Sequence, residues 1–184
     1  MTRKIFPILI IIFLAFISYG VFSEITKSVK NKRLECQTKT TTFEKIFYDS
    51  DIKEAITAFE NKNYEINSYI EYSKYMKSNL IDILTNKQSD EILKNIINKY
   101  TSTNSKQENL NEKLFIHYYI YENDKEDSGK KNNEAKSYAG YLVFEFKYNK
   151  KLVYKIQIDY MKLDANDLEN RMDCAIQSFL SILK

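Results

Sequence analysis

The stretch Tyr141 to Tyr160, "YLVFEFKYNKKLVYKIQIDY", constrains the fold more than any other part of the chain. Leu142, Phe144, Phe146 and Tyr148 occupy every second position, and so do Leu152, Tyr154, Ile156 and Ile158. A period of two marks strands with one buried face. Two such runs around Asn149-Lys150 read as a β-hairpin. Parity then restricts the register. A bare two-residue turn would set Phe146 opposite Val153 and turn one apolar set outward. The pattern therefore predicts a three-residue connection at 149–151, or a bulge, with Glu145 opposite Lys155 on the wet face.

A third strand is expected in "KLFIHYYIY", where Leu114, Ile116, Tyr118 and Ile120 share one face. Phe115, His117, Tyr119 and Tyr121 take the other. Both faces are largely apolar, which predicts a central strand covered on both sides. Helical spacing governs the segments around these strands. Ile52, Ala55, Ile56 and Phe59 fall at i, i+3, i+4 and i+7, with Asp51 and Glu54 placed as cap and return partner. A second helix is expected from Tyr64 to Leu84, carrying Ile66, Tyr69, Ile70, Leu80, Ile81 and Leu84. A third begins at Ser89, with Asp90 and Glu91 at its positive end and Ile92, Leu93, Ile96, Ile97 and Tyr100 buried. The chain closes on a helix from Asp164 or Asn166 to Leu183, striped by Leu168, Met172, Ala175, Ile176, Phe179 and Leu183.

About three helices, then at least three antiparallel strands, then a closing helix define an α+β class. This order resembles an NTF2-like cone or a related sheet-and-helix sandwich, an analogy of element order alone. Residues 51–184 form one expected domain. Residues 24–50 suit a stalk or a first element, because Phe43, Ile46 and Phe47 have helical spacing while Leu34, Cys36, Thr38 and Thr40 alternate.

The chain opens with Thr2-Arg3-Lys4, an apolar run from Ile5 and then Ser18, Gly20 and Ser23 before Glu24. Positive, apolar and small-residue regions in that order form a secretory signal, residues 1–23, cleaved before Glu24. The rival is a signal-anchor: Ile5 to Phe22 gives 18 residues, about 27 Å of helix at ~1.5 Å per residue, against a hydrocarbon core of ~30 Å. Either way the remainder is exported, being periplasmic or anchored in the inner membrane and facing the periplasm. No Cys ends the apolar run, so lipidation is not expected. The abundance of Ile, Lys and Asn points to a bacterial source.

Charge excludes one class of partner. Cutting after Ser23 removes Arg3 and Lys4 from the 28 basic residues, leaving 26 against 25 acidic ones, a net of +1. Interspersed, nearly balanced charge is no footprint for nucleic acid. With three glycines and one proline, and neither GxGxxG nor GxxxxGK[ST], no cofactor is expected. The single histidine, His117, lies mid-strand, where a packed imidazole is the simplest reading. One histidine does not make a typical zinc site, and no GxSxG or HExxH context supports the catalytic alternative, in which a nucleophile is brought to it in space.

Cys36 and Cys174 are the only cysteines. On the closing helix Cys174 lies opposite the apolar stripe, beside Gln177, Ser178 and Ser181. Two thiols outside obvious core positions, in an exported chain, predict a disulfide. It would close 138 residues, for which chain entropy allows about 5 kcal/mol at most. Tyr69, Tyr72 and Tyr75, three apart, form a candidate interaction surface, with rim packing as the alternative. Asp82, Asp90, Glu91 and the acids of 122–127 read as solvated or helix-start charges. The leader, the staple, the neutral Tyr-rich domain and the lack of catalytic signatures favour a non-enzymatic module of the cell envelope with a protein partner. A small hydrolase or ligand-binding domain is the alternative, with its pocket between sheet and helices near His117, Tyr119 and Tyr121. A secreted effector or immunity-type protein shares the same features.

Overall fold

The computed structural model describes residues 33–101, 112–129 and 137–183; the leader, and with it the choice between cleavage and anchoring, lies outside the described residues. The regular elements are β1 (Thr41–Ile46), α1 (Ile52–Glu60), β2 (Tyr64–Glu71), α2 (Asn86–Tyr100), β3 (Leu114–Glu122), β4 (Gly140–Tyr148), β5 (Lys151–Tyr160) and α3 (Leu168–Leu180). The strands make one sheet in the order β1-β5-β4-β3-β2. Strands β2 and β3 run parallel and every other pair is antiparallel. A parallel pair needs a long crossover, which α2 supplies. The class is α+β with a mixed five-stranded sheet, three helices and a closing C-terminal helix.

The hairpin satisfies its parity constraint by a bulge. Asn149 and Lys150 both have positive φ, 48° and 61°, and form a two-residue turn. Tyr148 pairs with Lys151 and Lys147 with Leu152, after which the register shifts and Phe146 faces Tyr154. The extra residue, Val153, returns Tyr154, Ile156 and Ile158 to the face of Phe144 and Phe146, while Leu152 pairs with Lys147 and stays out of the core. Glu145 then faces Lys155, whose Nζ reaches Glu145 Oε1 at 2.8 Å.

The expected helix over 64–84 is not formed. Its first third is strand β2, paired with β3 through eight successive residues. Ile66 and Ile70 satisfy a period of two as well as a helical one, and the β3 edge decides between them. Residues beyond Glu71 are irregular: Leu80 and Leu84 are buried, while Ile81 is exposed. Helix α2 also begins earlier than Ser89. Thr85 caps it, with its Oγ1 accepting from the Gln88 amide at 3.3 Å in a capping box. Asp90 thus leaves the helix end and accepts bonds from Ser68 Oγ and Tyr118 OH, both at 2.7 Å. It is a structural acceptor between helix and sheet, not a solvated charge.

All three helices pack on one face of the sheet. Phe59 of α1, Leu93, Ile96 and Ile97 of α2, and Met172, Ile176 and Phe179 of α3 join Ile116, Tyr118, Phe144, Phe146, Tyr154 and Ile156 in a single core. Phe146 and Phe179 stack at 4.1 Å. Each buried side chain of this size contributes about 1.5–3 kcal/mol.

Residues 33–50 carry the first elements of this body. A 3-10 turn at Glu35–Gln37 lies on α3, and β1 pairs with β5. Cys36 and Cys174 form a disulfide with Cα atoms 5.9 Å apart. The turn covers the side of α3 that its apolar stripe leaves out, so Cys174 and Ser178 are buried rather than surface residues. Gly140 has a steric duty: a Cβ there would collide with the Tyr121 carbonyl oxygen and the Tyr160 ring.

Candidate functional site

Among the described residues, one face of the sheet carries no helix. In register across it stand Glu65, Asn67, Tyr69 and Glu71 of β2, then Phe115, His117, Tyr119 and Tyr121 of β3. Lys147, Glu145, Val143 and Tyr141 of β4 and Lys155, Gln157 and Asp159 of β5 continue it. Strand alternation puts these side chains opposite the buried Ile116, Tyr118, Phe144 and Tyr154. The expected double covering of β3 is therefore absent among the described residues, and Phe115 is 40% exposed. For the same reason His117, Tyr119 and Tyr121 build no pocket between sheet and helices; they project from the far side.

They do come together there. Tyr69 and Tyr119 stack at 5.0 Å and 12°, and Tyr119 meets Tyr141 edge-on at 6.4 Å. Tyr141 stacks in turn on Tyr121 at 4.7 Å. Cross-strand neighbours of this kind contribute roughly 0.2–1 kcal/mol each. Burial pushes the Tyr141 hydroxyl up to about 12, with the neighbouring tyrosines and Glu71 adding to the shift. Burial raises Tyr119 and Tyr121 as well. All three act as neutral hydrogen-bonding tips on apolar plates.

His117 sits at the border of this stack, 5.9 Å from the Tyr69 ring, with Nδ1 3.1 Å from Asn67 Oδ1. Its register partner on β4 is Glu145, which bridges Lys147 at 3.0 Å and Lys155 at 2.8 Å. Burial acts to raise the Glu145 carboxyl, but the two ammonium groups outweigh it and hold the group below the usual range. The centre of the face is thus a paired, nearly balanced charge cluster beside an aromatic one. Asp159 closes the far end; burial raises its pKa, and its Oδ1 has no hydrogen-bond partner. Among the described residues no group of three His, Cys, Asp or Glu side chains could hold a metal ion.

The three tyrosines grouped by their spacing of three as a candidate interaction surface lie in different surroundings. Tyr69 stays in the aromatic stack, Tyr72 turns inward to donate to the Leu84 carbonyl at 3.0 Å, and Tyr75 is 67% exposed. What fixes that irregular segment is a pair of acids whose burial the sequence does not betray. Glu122, Asn123 and Asp124 are buried, not solvated. Glu122 accepts from the amides of Ser73, Asn79 and Leu80 and from the Ser73 and Ser78 hydroxyls. Asp124 accepts from the amides of Lys74, Tyr75 and Met76. Burial alone would raise both carboxyls; the converging donors outweigh it and lower both. Beside this clamp lies an open depression of about 250 Å³ lined by Glu71, Lys74, Tyr121, Asp124 and Asp127.

Another buried carboxylate lies on the helix side of the opposite edge. Glu44 of β1 accepts from Tyr154 OH at 2.6 Å and from Gln37 Nε2 at 2.9 Å. Its period-two placement, with Ile46 on the same face, is the signal that could have found it. Compared with protein-family models, with characterised proteins and with solved structures, the chain matches none.

Proposed function

We propose that this protein is an exported, non-enzymatic interaction module of a bacterial cell envelope that meets a protein partner through the uncovered aromatic face of its sheet. The observation that carries this reading is the Tyr69–Tyr119–Tyr141–Tyr121 stack, which has no covering layer among the described residues. Tyrosine offers a large apolar plate with a polar tip at low entropic cost, which suits it to partner contacts. The rings are held by one another and by a rigid sheet, so little ordering remains to be done on binding. Beside them, the lysine–glutamate pairs and Asn67–His117 supply polar groups on the same face.

Two features support the compartment. The positive, apolar and small-residue order of residues 1–23 is that of an export signal. The Cys36–Cys174 bond is of the kind that persists under oxidising conditions. The domain would then work in the periplasm, free or tethered through residues 5–22. Its helix-backed sheet fits a sheet-and-helix sandwich, with the NTF2-like cone as one form.

The deciding experiment is photocrosslinking in native membranes with a reactive residue at Phe115, followed by pull-down of the tagged full-length chain. A partner joined to the otherwise unaltered protein and lost from the Tyr119→Ser/Tyr141→Ser variant is the expected result. Equal crosslinking by both proteins would sink the aromatic face as the contact. A leader–reporter fusion active only after translocation tests export separately.

A further inference from the structure

The sheet has two edges, and they are built differently. Strand β1 has the features that discourage a further strand. Its register with β5 is broken by a bulge between Thr41 and Phe43. It also points the charged Glu44 inward, into bonds with Tyr154 and Gln37. Bulges and inward charges are standard protection of an edge against pairing. Strand β2 has none of these. Its eight residues, "YEINSYIE", keep an unbroken register with β3 and contain no Lys, Arg, Pro or Gly. One carbonyl of this strand, that of Ser68, accepts a bond from Asn86 Nδ2 at 3.2 Å.

Charge and burial on β2 specify what would fit. On the uncovered face stand Glu65 and Glu71. Glu65 makes no ion pair among the described residues, and Glu71 has only an exposed contact with Lys74 at 3.3 Å. Asp90, bonded to Ser68, places a third acid behind the strand. On the helix side Tyr64, Ile66 and Ile70 are half-buried, leaving apolar area at the rim of the core. A strand laid along β2 would set one alternation beside the two glutamates and the other beside Ile66 and Ile70.

We infer that β2 is an acceptor edge for an extended peptide segment of a partner, with basic side chains on one alternation and β-branched or other apolar side chains on the other. Main-chain bonds would provide adhesion and the alternating side chains selectivity. The inference depends on the interaction-module reading only for the existence of a partner; it uses the edge of the sheet, not its aromatic face.

The test uses the full-length chain and a synthetic peptide of alternating Lys and Val long enough to span β2. A Glu–Val counterpart and Lys–Val peptides N-methylated at alternate residues, in either phase, are the controls. The Lys–Val peptide should bind and slow hydrogen exchange at β2 amides, with the Glu–Val peptide and one methylated phase weaker by about tenfold or more. In Glu65→Lys/Glu71→Lys the preference should reverse towards the Glu–Val peptide, a gain that a misfolded variant could not show. Protection at β1 instead of β2, full binding of both methylated phases, or an unreversed preference would overturn the inference. So would a β2-paired dimer of this chain that excludes the peptide. Tyr119→Ser/Tyr141→Ser should leave Lys–Val affinity unchanged; a loss there would move the peptide to the aromatic face, ending the edge proposal while sparing the broader reading.

Discussion

Tyr118 and Tyr119 are neighbours in the chain and lie on opposite sides of one sheet. Tyr118 is fully buried, stacks on Phe144 at 5.0 Å and gives its hydroxyl to Ser89 and Asp90 of α2. Tyr119 is half-buried between Tyr69 and Tyr141, with no helix above it among the described residues. The same side chain is a wall anchor in one case and a surface plate in the other. The contrast extends along both faces. Phe146 lies against Phe179, while Phe115 stands 40% exposed. Aromatic content within a strand therefore says little about which side is covered; the covering helices make that assignment.

Truncation should separate the faces most strongly. Phe146→Ala is expected to cost about 3–5 kcal/mol, the range for removing a buried aromatic. Phe115→Ala should cost less than about 1 kcal/mol, as exposed positions generally do. Urea unfolding midpoints check both. Equal losses would mean that the two faces are equally covered in solution, and the contrast would break.

The disulfide comes next. It pins the 3-10 turn and β1 to α3, all on the helix side or at the β1 edge. Cys36→Ser/Cys174→Ser should lose about 2–5 kcal/mol. Hydrogen exchange should quicken first in residues 35–46 and in α3, with β2 and β3 least affected. Uniform acceleration would show that the staple serves both regions alike.

The smallest effect concerns the acid clamp, and it carries a pH signature. Glu122→Gln keeps one acceptor but loses charge-assisted bonds, for an expected cost of about 1–3 kcal/mol. Glu122 and Asp124 have folded pKa values below their ordinary ones. Their contribution is complete above the unfolded carboxylate range, near pH 4, and is lost as pH falls through the lower folded values. Asp159 has the opposite sign: burial raises its pKa, so its charge costs stability at neutral pH and protonation relieves the cost. Amide resonances of residues 73–80 should shift together on acidification in the unaltered protein. The Glu122 step should vanish in the variant.

How much was legible follows from the range of each interaction. The β4–β5 hairpin could be read in detail because its register depends on neighbours across a two-residue turn. Only the choice between a longer turn and a bulge stayed open. Cys36 and Cys174 could be paired because no other thiols compete. The segment 64–84 could not be read: Ile66 and Ile70 satisfy two periods, and a β3 partner 50 positions downstream decides the matter. Glu122 and Asp124 beside a charged stretch look solvated until residues 73–80 are seen folded around them. His117, Tyr119 and Tyr121 could be grouped on one face, but alternation does not tell which face the helices choose.

Local pattern by itself determined the α+β class, the hairpin with its Glu145–Lys155 pair, three of the helical segments and the identity of the sulfur bridge. Each rests on side-chain period or on a lack of alternatives, both properties of sequence. Tertiary structure alone decided that β2 is a strand, that the sheet is mixed, that among the described residues no helix covers the aromatic face, and that Glu122 and Asp124 are buried. Those outcomes depend on contacts between residues tens of positions apart, whose free energy appears only once the chain has brought them together.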